Sequence, residues 1–276
     1  MVNILFTCAC GKNSEKLFKL INNNIPKINL IGCDEKNNYS GRYLNKFYNI
    51  KFKNPKNFIN KIYNVSKKNN VKYIIAWADR EILALSKNKK KFLKIKTKIL
   101  LNNFRLIKIF NDKYLTLNLI KKNKIKTPKY EIIKKKNYFD ILKKFEFPKK
   151  SVIIKTRHGI GGRGIFLLSG SDAKKFNWFK KNNREKVVKR FNYKFLKKIM
   201  VPNKSIIMEA LNIPAYDADS ISINNKVSVI VRKRKNPAGI PYKGSKVVKN
   251  KSIVNQVMKI MKKEKLKYIL DFDFMT

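Results

Sequence analysis

The chain has 276 residues, of which 43% are hydrophobic and 12% aromatic. That is enough apolar material for one large or two modest folded domains, and it excludes a disordered polymer. Lys and Arg number 66 against 17 Asp and Glu, a formal net charge of +49, which ordinarily points to nucleic acid or an anionic surface. Here the excess is nearly all lysine, spread along the chain with abundant Asn and Ile. An AT-rich coding sequence produces that bias, so most of the charge reads as solvated surface.

Cys8, Cys10 and Cys33 with a single histidine give too few ligands for a usual zinc site. With no signal peptide, the cysteines read as reduced thiols. No apolar run approaches the roughly 18 residues of a membrane span. A soluble, cytoplasmic protein without a membrane partner is expected.

Residues 2–6 are a short apolar run expected as a strand, followed by a small-residue turn at 7–11 and an amphipathic segment at 14–21. Further strands are predicted at 27–33, ending at Asp34, and at 71–77, with Asp79 and Glu81 just beyond. Strands alternating with helical stretches predict a parallel sheet of Rossmann type. Carboxylates at the carboxyl end of a strand stand where open α/β sheets place ligands. Acidic residues also stabilise the first turn of a helix, here 81–86, and the sequence leaves both readings open. Helical spacing runs from 102 to 119, interrupted by Asn111-Asp112-Lys113, where Asn-Asp suits an N-cap. Pro128 breaks the helix and launches a strand at 129–133.

Helices are predicted at 139–145 and 172–181. Residues 186–204 are basic and aromatic, with weak periodicity and no assignable role. Strands follow at 205–211, closing on Glu209, and at 226–234, carrying Arg232 and Arg234 ahead of Pro237-Ala238-Gly239 and Tyr242-Lys243-Gly244. A helix spans 250–264. The closing stretch YILDFDFMT, 268–276, places Asp271 and Asp273 on the same side of a strand.

The most distinctive stretch is SVIIKTRHGIGGRGIFLLS, residues 151–169. Two short apolar runs, rich in β-branched or aromatic residues, flank a turn holding Gly159, Gly161, Gly162 and Gly164, and read as the strands of a hairpin. Glycines free the backbone for positive φ and let successive N–H groups converge on an anion. Lys155 before the loop and Arg163 within it add full charges, which together suit nucleotide phosphates. Gly159, Gly161 and Gly164 literally match G-x-G-x-x-G, but a dinucleotide site needs a helix after the loop. A protein kinase puts its lysine on the strand after the loop, and no H-R-D or D-F-G follows here. A hairpin without a ligand is the bland alternative.

A lysine ahead of a strand-flanked glycine loop resembles the ATP-grasp superfamily. More specifically, the chain is similar to carboxylate–amine ligases whose ATP-grasp unit looks like that of the carbamoyl-phosphate synthase large chain. The resemblance runs through nearly the whole chain in register. It implies an α/β fold with a Rossmann-like pre-ATP-grasp domain over 1–103 and an α+β ATP-grasp domain over 104–276. It implies ATP and magnesium as cofactors, with a small-molecule carboxylate and an amine as substrates joined through an acylphosphate. The pattern N-D-K…N-x-I-x-T-P, which ends at Pro128, matches the start of the family's ATP-grasp unit. Lys113 therefore inherits a phosphate contact beside Lys155, Gly159, Gly161, Gly162, Arg163 and Gly164. SIIMEAL at 205–211 matches the hinge, giving Met208, Glu209, Ala210 and Leu211 adenine contacts, and Asp219 matches a recurrent acidic position on the next strand. Arg163, Arg232 and Arg234 are the expected catalytic arginines, since the planar guanidinium suits phosphate and carboxylate. Asp273 matches a magnesium ligand.

Three departures from the family pattern stand beside the resemblance. Cys8 and Cys10 occupy a first turn that is usually glycine-rich, so no nucleotide role is carried to it. Ile213, Pro214 and Ala215 stand where an acidic residue usually holds the ribose, leaving Asp217 as its substitute. The Glu-x-Asn strand with the remaining magnesium ligands does not follow residue 276, so the ATP-grasp domain reads as incomplete and turnover by this chain alone as doubtful. Two further readings follow: a nucleotide-binding protein without catalysis, or a fragment completed by a second chain that supplies the strand. A basic nucleic-acid-binding module is the last reading, motivated only by charge and expected to lack sequence preference. His158 reads as a loop residue.

Overall fold

The computed structural model describes the chain except for residues 12, 38–41, 135–137, 160–161, 182–185, 236–243 and 276. Two compact units divide it, Met1–Lys108 and Ile109–Thr276. No helix among the described residues is long and apolar enough to cross a membrane.

The first unit contains strands β1 (Val2–Thr7), β2 (Ile28–Asp34), β3 (Lys46–Asn49), β4 (Tyr73–Ile75) and β5 (Lys98–Ile99). They form one parallel sheet in the order β3-β2-β1-β4-β5. Helices α1 (Ser14–Asn24), α2 (Pro55–Lys68), α3 (Asp79–Lys87) and α4 (Lys89–Leu93) connect the strands. Leu5, Ile31 and Ile74 pack with Phe58 and Ile62 of α2, Leu85 of α3 and Phe92 of α4. Phe6 and Leu30 pack instead with Phe18 of α1. Strands buried on both faces have to be apolar throughout, which is why these runs do not alternate. At Gly32 a Cβ would lie 2.3 Å from Leu44 Cδ1 and 2.9 Å from Ala9 Cβ, so this close approach requires glycine. Helix α2 is absent from the sequence reading. Its start is nevertheless encoded: the Asn54 side chain accepts the Asn57 N–H at 2.9 Å, and Pro55 fills the first helical turn.

Helix α5 (Phe104–Phe110) spans the division between the units. The second unit continues with α6 (Lys113–Lys122), β6 (Tyr130–Ile132), α7 (Tyr138–Lys144), β7 (Val152–Thr156) and β8 (Ile165–Leu168). A 3-10 helix at Ala173–Lys181 follows, then β9 (Lys186–Val188), α8 (Tyr193–Ile199) and β10 (Ser205–Glu209). The last elements are β11 (Ala215–Ile223), β12 (Lys226–Arg234), β13 (Ser245–Val247), α9 (Lys251–Lys263) and β14 (Tyr268–Met275). Two departures from expectation appear. Residues 173–181 are 3-10 rather than α-helical, and the backbone leaves helical angles at Phe176, whose ring is buried. The basic segment 186–204 resolves into edge strand β9 and helix α8, whose Leu196 and Ile199 enter the core.

Two sheets build this unit, β6-β10-β7-β8-β9 and β13-β12-β11-β14. In the first, Val152, Ile154, Leu168 and Ile207 pack on α7 and α8, while Ile153, Leu167 and Met208 pack with Phe176. That is the period of two expected of strands buried on both sides. In the second sheet Ala218, Ser220 and Val231 are buried, and α9 buries Ile253, Val257, Ile260 and Met261. The Ser220 hydroxyl donates to Leu270 O at 3.0 Å and also approaches Met261 Sδ. The opposite parity carries Asp217, Asp219, Arg232 and Arg234, with Asp273 opposite Asp217 and Asp271 opposite Asp219.

Candidate functional site

A cleft of about 440 Å³ opens within the second unit. Lys155, Ile206 and Met208 contribute from the first sheet, Lys113, Thr116 and Ile120 from α6, and residues 270–275 from β14. Strand parity explains the first group: Lys155 lies opposite Ile206 and Ile153 opposite Met208, so all four share one face. Leu211 beyond β10 and Gln256, Val257 and Ile260 of α9 complete the walls. Lys113, Lys155, Met208, Leu211 and Asp273 are thereby brought together from across 160 residues of sequence.

The loop joining β7 to β8 is fastened to the start of α6. Asp112 is the N-cap of that helix, accepting from Tyr114 N–H at 3.0 Å and Leu115 N–H at 3.3 Å. Arg157, the first loop residue, donates from Nε to both Asp112 oxygens at 3.1 Å, and its Nη2 also pairs with Oδ2. Lys113 N–H donates to Arg157 O at 3.0 Å, and Lys113 Nζ to Gly159 O at 2.8 Å. Burial of Asp112 opposes its ionisation. The Arg157 guanidinium and the Leu115 N–H outweigh that and hold its carboxyl below the usual value of 3.8. Glycine is required by the same packing. A Cβ on Gly159 would lie 2.6 Å from Thr156 Oγ1. Gly164, at φ +75°, would bring one to 2.8 Å from that same atom. Gly162 also takes positive φ, +79°. Gly161 lies outside the described residues. Arg163 is exposed on the loop and is not among the cleft's lining residues. His158 is exposed, with Nδ1 3.0 Å from Asn111 O.

Of the hinge residues, Met208 and Leu211 line the cleft, and Ala210 packs beside Met208. Glu209 is turned onto neighbouring backbone, accepting the Lys129 N–H at 2.8 Å. Arg232 and Arg234 pair within their own sheet. Arg232 forks onto Asp219, with Nε to Oδ2 at 2.5 Å and Nη2 to Oδ1 at 2.9 Å. Arg234 bridges Asp217 and Asp273. Asp217, the substitute considered for ribose recognition, is instead fully buried beneath Arg234. Burial and the negative charges of Asp273 and Asp217 push the Asp271 carboxyl up to about 7. Sequence reasoning missed Arg157, for which the aspartate at the α6 N-cap was the available signal. It also missed the apolar wall from Phe110, Phe272 and Phe274.

In the first unit Asp79 is exposed at the start of α3, whereas Glu81 is buried and its carboxyl is raised by that burial. Asp34 accepts the N–H groups of Cys10 and Lys36 at 2.8 and 2.9 Å. No disulfide joins Cys8, Cys10 and Cys33, and burial followed by the charge of Asp34 pushes Cys8 up to about 11.

A Rossmann-like sheet followed by two sheets around a lysine-bearing cleft is the ATP-grasp fold, and this chain has it. Residues 4–100, about a third of the chain, match the family model described as the PylC-like, N-terminal domain. No curated protein sequence matches the chain. Among solved structures, the chain is similar to N5-carboxyaminoimidazole synthetase from Staphylococcus aureus complexed with ADP. That match has 15% identity and a TM-score of 0.66, covering 99% of this chain and 66% of that one. The biotin carboxylase domain of Hydrogenobacter thermophilus 2-oxoglutarate carboxylase, in complex with MgADP, ADP and bicarbonate, matches at 13% identity and TM-score 0.64, covering 98% and 60%. The L-amino acid ligase from Bacillus licheniformis matches at 9% identity and TM-score 0.64, covering 100% and 63%. At these identities the likeness is one of fold, and the chain spans less than two thirds of the length of these structures.

Proposed function

We propose that the second unit binds ATP and serves an ATP-dependent ligase that joins a carboxylate to an amine. The observation that carries this reading is the convergence of Lys113, Lys155, Met208, Leu211 and Asp273 on one cleft. Its volume falls in the range of small-molecule sites, and its walls are mostly apolar with a few charged groups, the lining a nucleotide base and its phosphates need. Lys113 and Lys155 would balance phosphate charge, with Ile206, Met208 and Leu211 against the base. A magnesium ion fits the donor set, because Asp217, Asp271 and Asp273 offer oxygens within 4.8 Å of one another. Bound there, it would supply charge neutralisation at the phosphates. The glycine loop, clamped at Arg157, would cover the phosphates and exclude water from the acylphosphate before the amine attacks. Arg232 and Arg234, held by Asp219, Asp217 and Asp273, would reach the transferring phosphoryl group or the carboxylate only by leaving those partners, and Arg163 only as the loop closes. Among the described residues β14 is an edge strand. A Glu-x-Asn strand, from this polypeptide or another, would pair there and add ligands.

Calorimetry with ATP tests the reading. Lys155→Ala should weaken binding by about 1–3 kcal/mol, the scale of a charged hydrogen bond, while Lys149→Ala should leave it nearly unchanged. Equal effects would remove the phosphate-loop assignment. Trapping with hydroxylamine, across a panel of carboxylates, reads the acylphosphate step separately from binding.

A further inference from the structure

Five acidic residues occur in Met1–Lys108, and four of them, Asp34, Glu35, Asp79 and Glu81, stand at the carboxyl ends of β2 and β4. Those strands flank β1, and the order β3-β2-β1-β4-β5 reverses direction between β1 and β4. Open parallel sheets take ligands at such a reversal. Three of the four are accounted for. Asp34 accepts the N–H groups of Cys10 and Lys36. Glu35 accepts the Phe52 N–H and pairs with Arg80, whose guanidinium lies over the Phe52 ring at 4.9 Å. Asp79 is exposed. Glu81 differs: it is 5% exposed, and its Oε2 makes no hydrogen bond among the described residues. Thr7 Oγ1, at the end of β1 in a residue 0% exposed, is in the same position. The two groups are neighbours, since burial raises the Glu81 carboxyl while the Thr7 hydroxyl lowers it. Burial and then Glu81 raise the Cys33 thiol, and Glu81 acts on Cys8 after burial and Asp34. The carboxylate is therefore turned over the ends of β1 and β2.

We propose that the carboxyl end of the first sheet, between β1 and β4, binds the ammonium group of a small primary amine, with Glu81 as its counter-charge. As the amine of a ligase this ligand rests on the function proposed above, but as a binding site it stands on the first unit alone. A buried carboxylate oxygen without a donor is costly. An ammonium carries three donors on one compact charge, so a single group can serve Glu81 Oε2 and Thr7 Oγ1 together through charge-assisted bonds. No lysine or arginine pairs with Glu81 among the described residues, Arg80 being held by Glu35. Four carboxylates at one sheet end also repel phosphate and carboxylate ligands, which selects for a cation. Trp77, 42% exposed and stacked on the buried Phe6 ring, follows β4 at the same end and offers an indole to the ligand's methylenes or its charge. Cys8 is half-buried there, so solvent reaches the rim.

The test is binding of propylamine, putrescine, L-alanine and L-lysine to the full chain without nucleotide, read by calorimetry and by ligand-observed NMR, with propanol as the uncharged control. At least one amine should bind saturably, and propanol should not. Glu81→Gln keeps the side chain's shape and removes its charge, and should weaken that binding by about tenfold or more, the scale of a charged hydrogen bond. Thr7→Val should weaken it by about threefold, as the loss of one hydrogen bond. Glu15→Gln, at the exposed fifth acidic residue of the unit, should change nothing. Circular dichroism checks that each variant is folded; should Glu81→Gln fail to fold, Thr7→Val carries the test. The absence of amine binding, equal binding of propanol, or amine binding unchanged by Glu81→Gln or, in its place, by Thr7→Val, would overturn the proposal. Lys155-dependent ATP binding without amine binding would overturn this site alone. Glu81-dependent amine binding without ATP affinity would uphold the site and remove only the ligase reading.

Discussion

The two ends of the cleft in the second unit face opposite electrostatic problems. At the loop end one buried carboxylate, Asp112, meets Arg157 and two backbone N–H groups, with every part of the cluster paired. At the sheet end four carboxylates share two guanidiniums, and a fully buried Asp217 oxygen is left without a donor. The first arrangement is complete and acts as a strut that sets Lys113 against the glycine loop. The second is short of positive charge, although it lies in a protein dominated by lysine. A buried ion pair, taken alone, signals neither stability nor function. What separates these two ends is whether the pairing closes.

Removing one carboxylate from each end should expose that difference most strongly. Asp112→Ala leaves a partly buried Arg157 without its partner and strips the α6 N-cap, and should cost about 2–4 kcal/mol. Asp219→Asn touches a half-exposed pair and should cost under about 1 kcal/mol. Urea unfolding monitored by circular dichroism reads both, and equal costs would break the comparison. Gly164→Ala should fall between them, at about 1–3 kcal/mol, because φ is positive there and Thr156 crowds the site. ATP affinity should drop with that variant, since the loop would shift while the sheet end stays as it is.

The loop end was largely legible in the sequence. Glycine density between two β-branched runs gives a hairpin, and Asn111-Asp112 before an apolar periodic segment gives a helix start. Both rest on local chemistry, which a single sequence carries. The Arg234 bridge was not legible, because it depends on the register that sets Asp217 opposite Asp273 and Arg232. Register is decided by long-range pairing, and nothing in the three separate strands announces it. In the first unit the parallel sheet showed in its unbroken apolar runs. Helix α2 did not, because lysines and asparagines crowd its buried Phe58, Ile59 and Ile62. Asn54-Pro55 was the usable signal there.

The smallest effect separates the two ends by sign. Asp112 has its folded pKa below 3.8, so below that value the unfolded chain binds more protons. Its contribution to stability is present above about pH 4 and is lost as pH falls through the folded pKa. Asp271 behaves in reverse. Burial first, then Asp273 and Asp217, raise it to about 7. Between the ordinary 3.8 and about 7 the folded chain keeps a proton that the unfolded chain has released, so stability declines as pH rises through that window. Asp271→Asn removes this term and should leave Tm unchanged near pH 4 but raise it near pH 8, in EDTA. The gain should be under about 1 kcal/mol, since a partly exposed carboxyl is screened by solvent. Asp112→Asn should lower Tm at neutral pH and lose that effect in strong acid. Differential scanning calorimetry of the two variants across that range should give curves of opposite slope. Parallel curves would mean that the sheet end is as fully paired as the loop end.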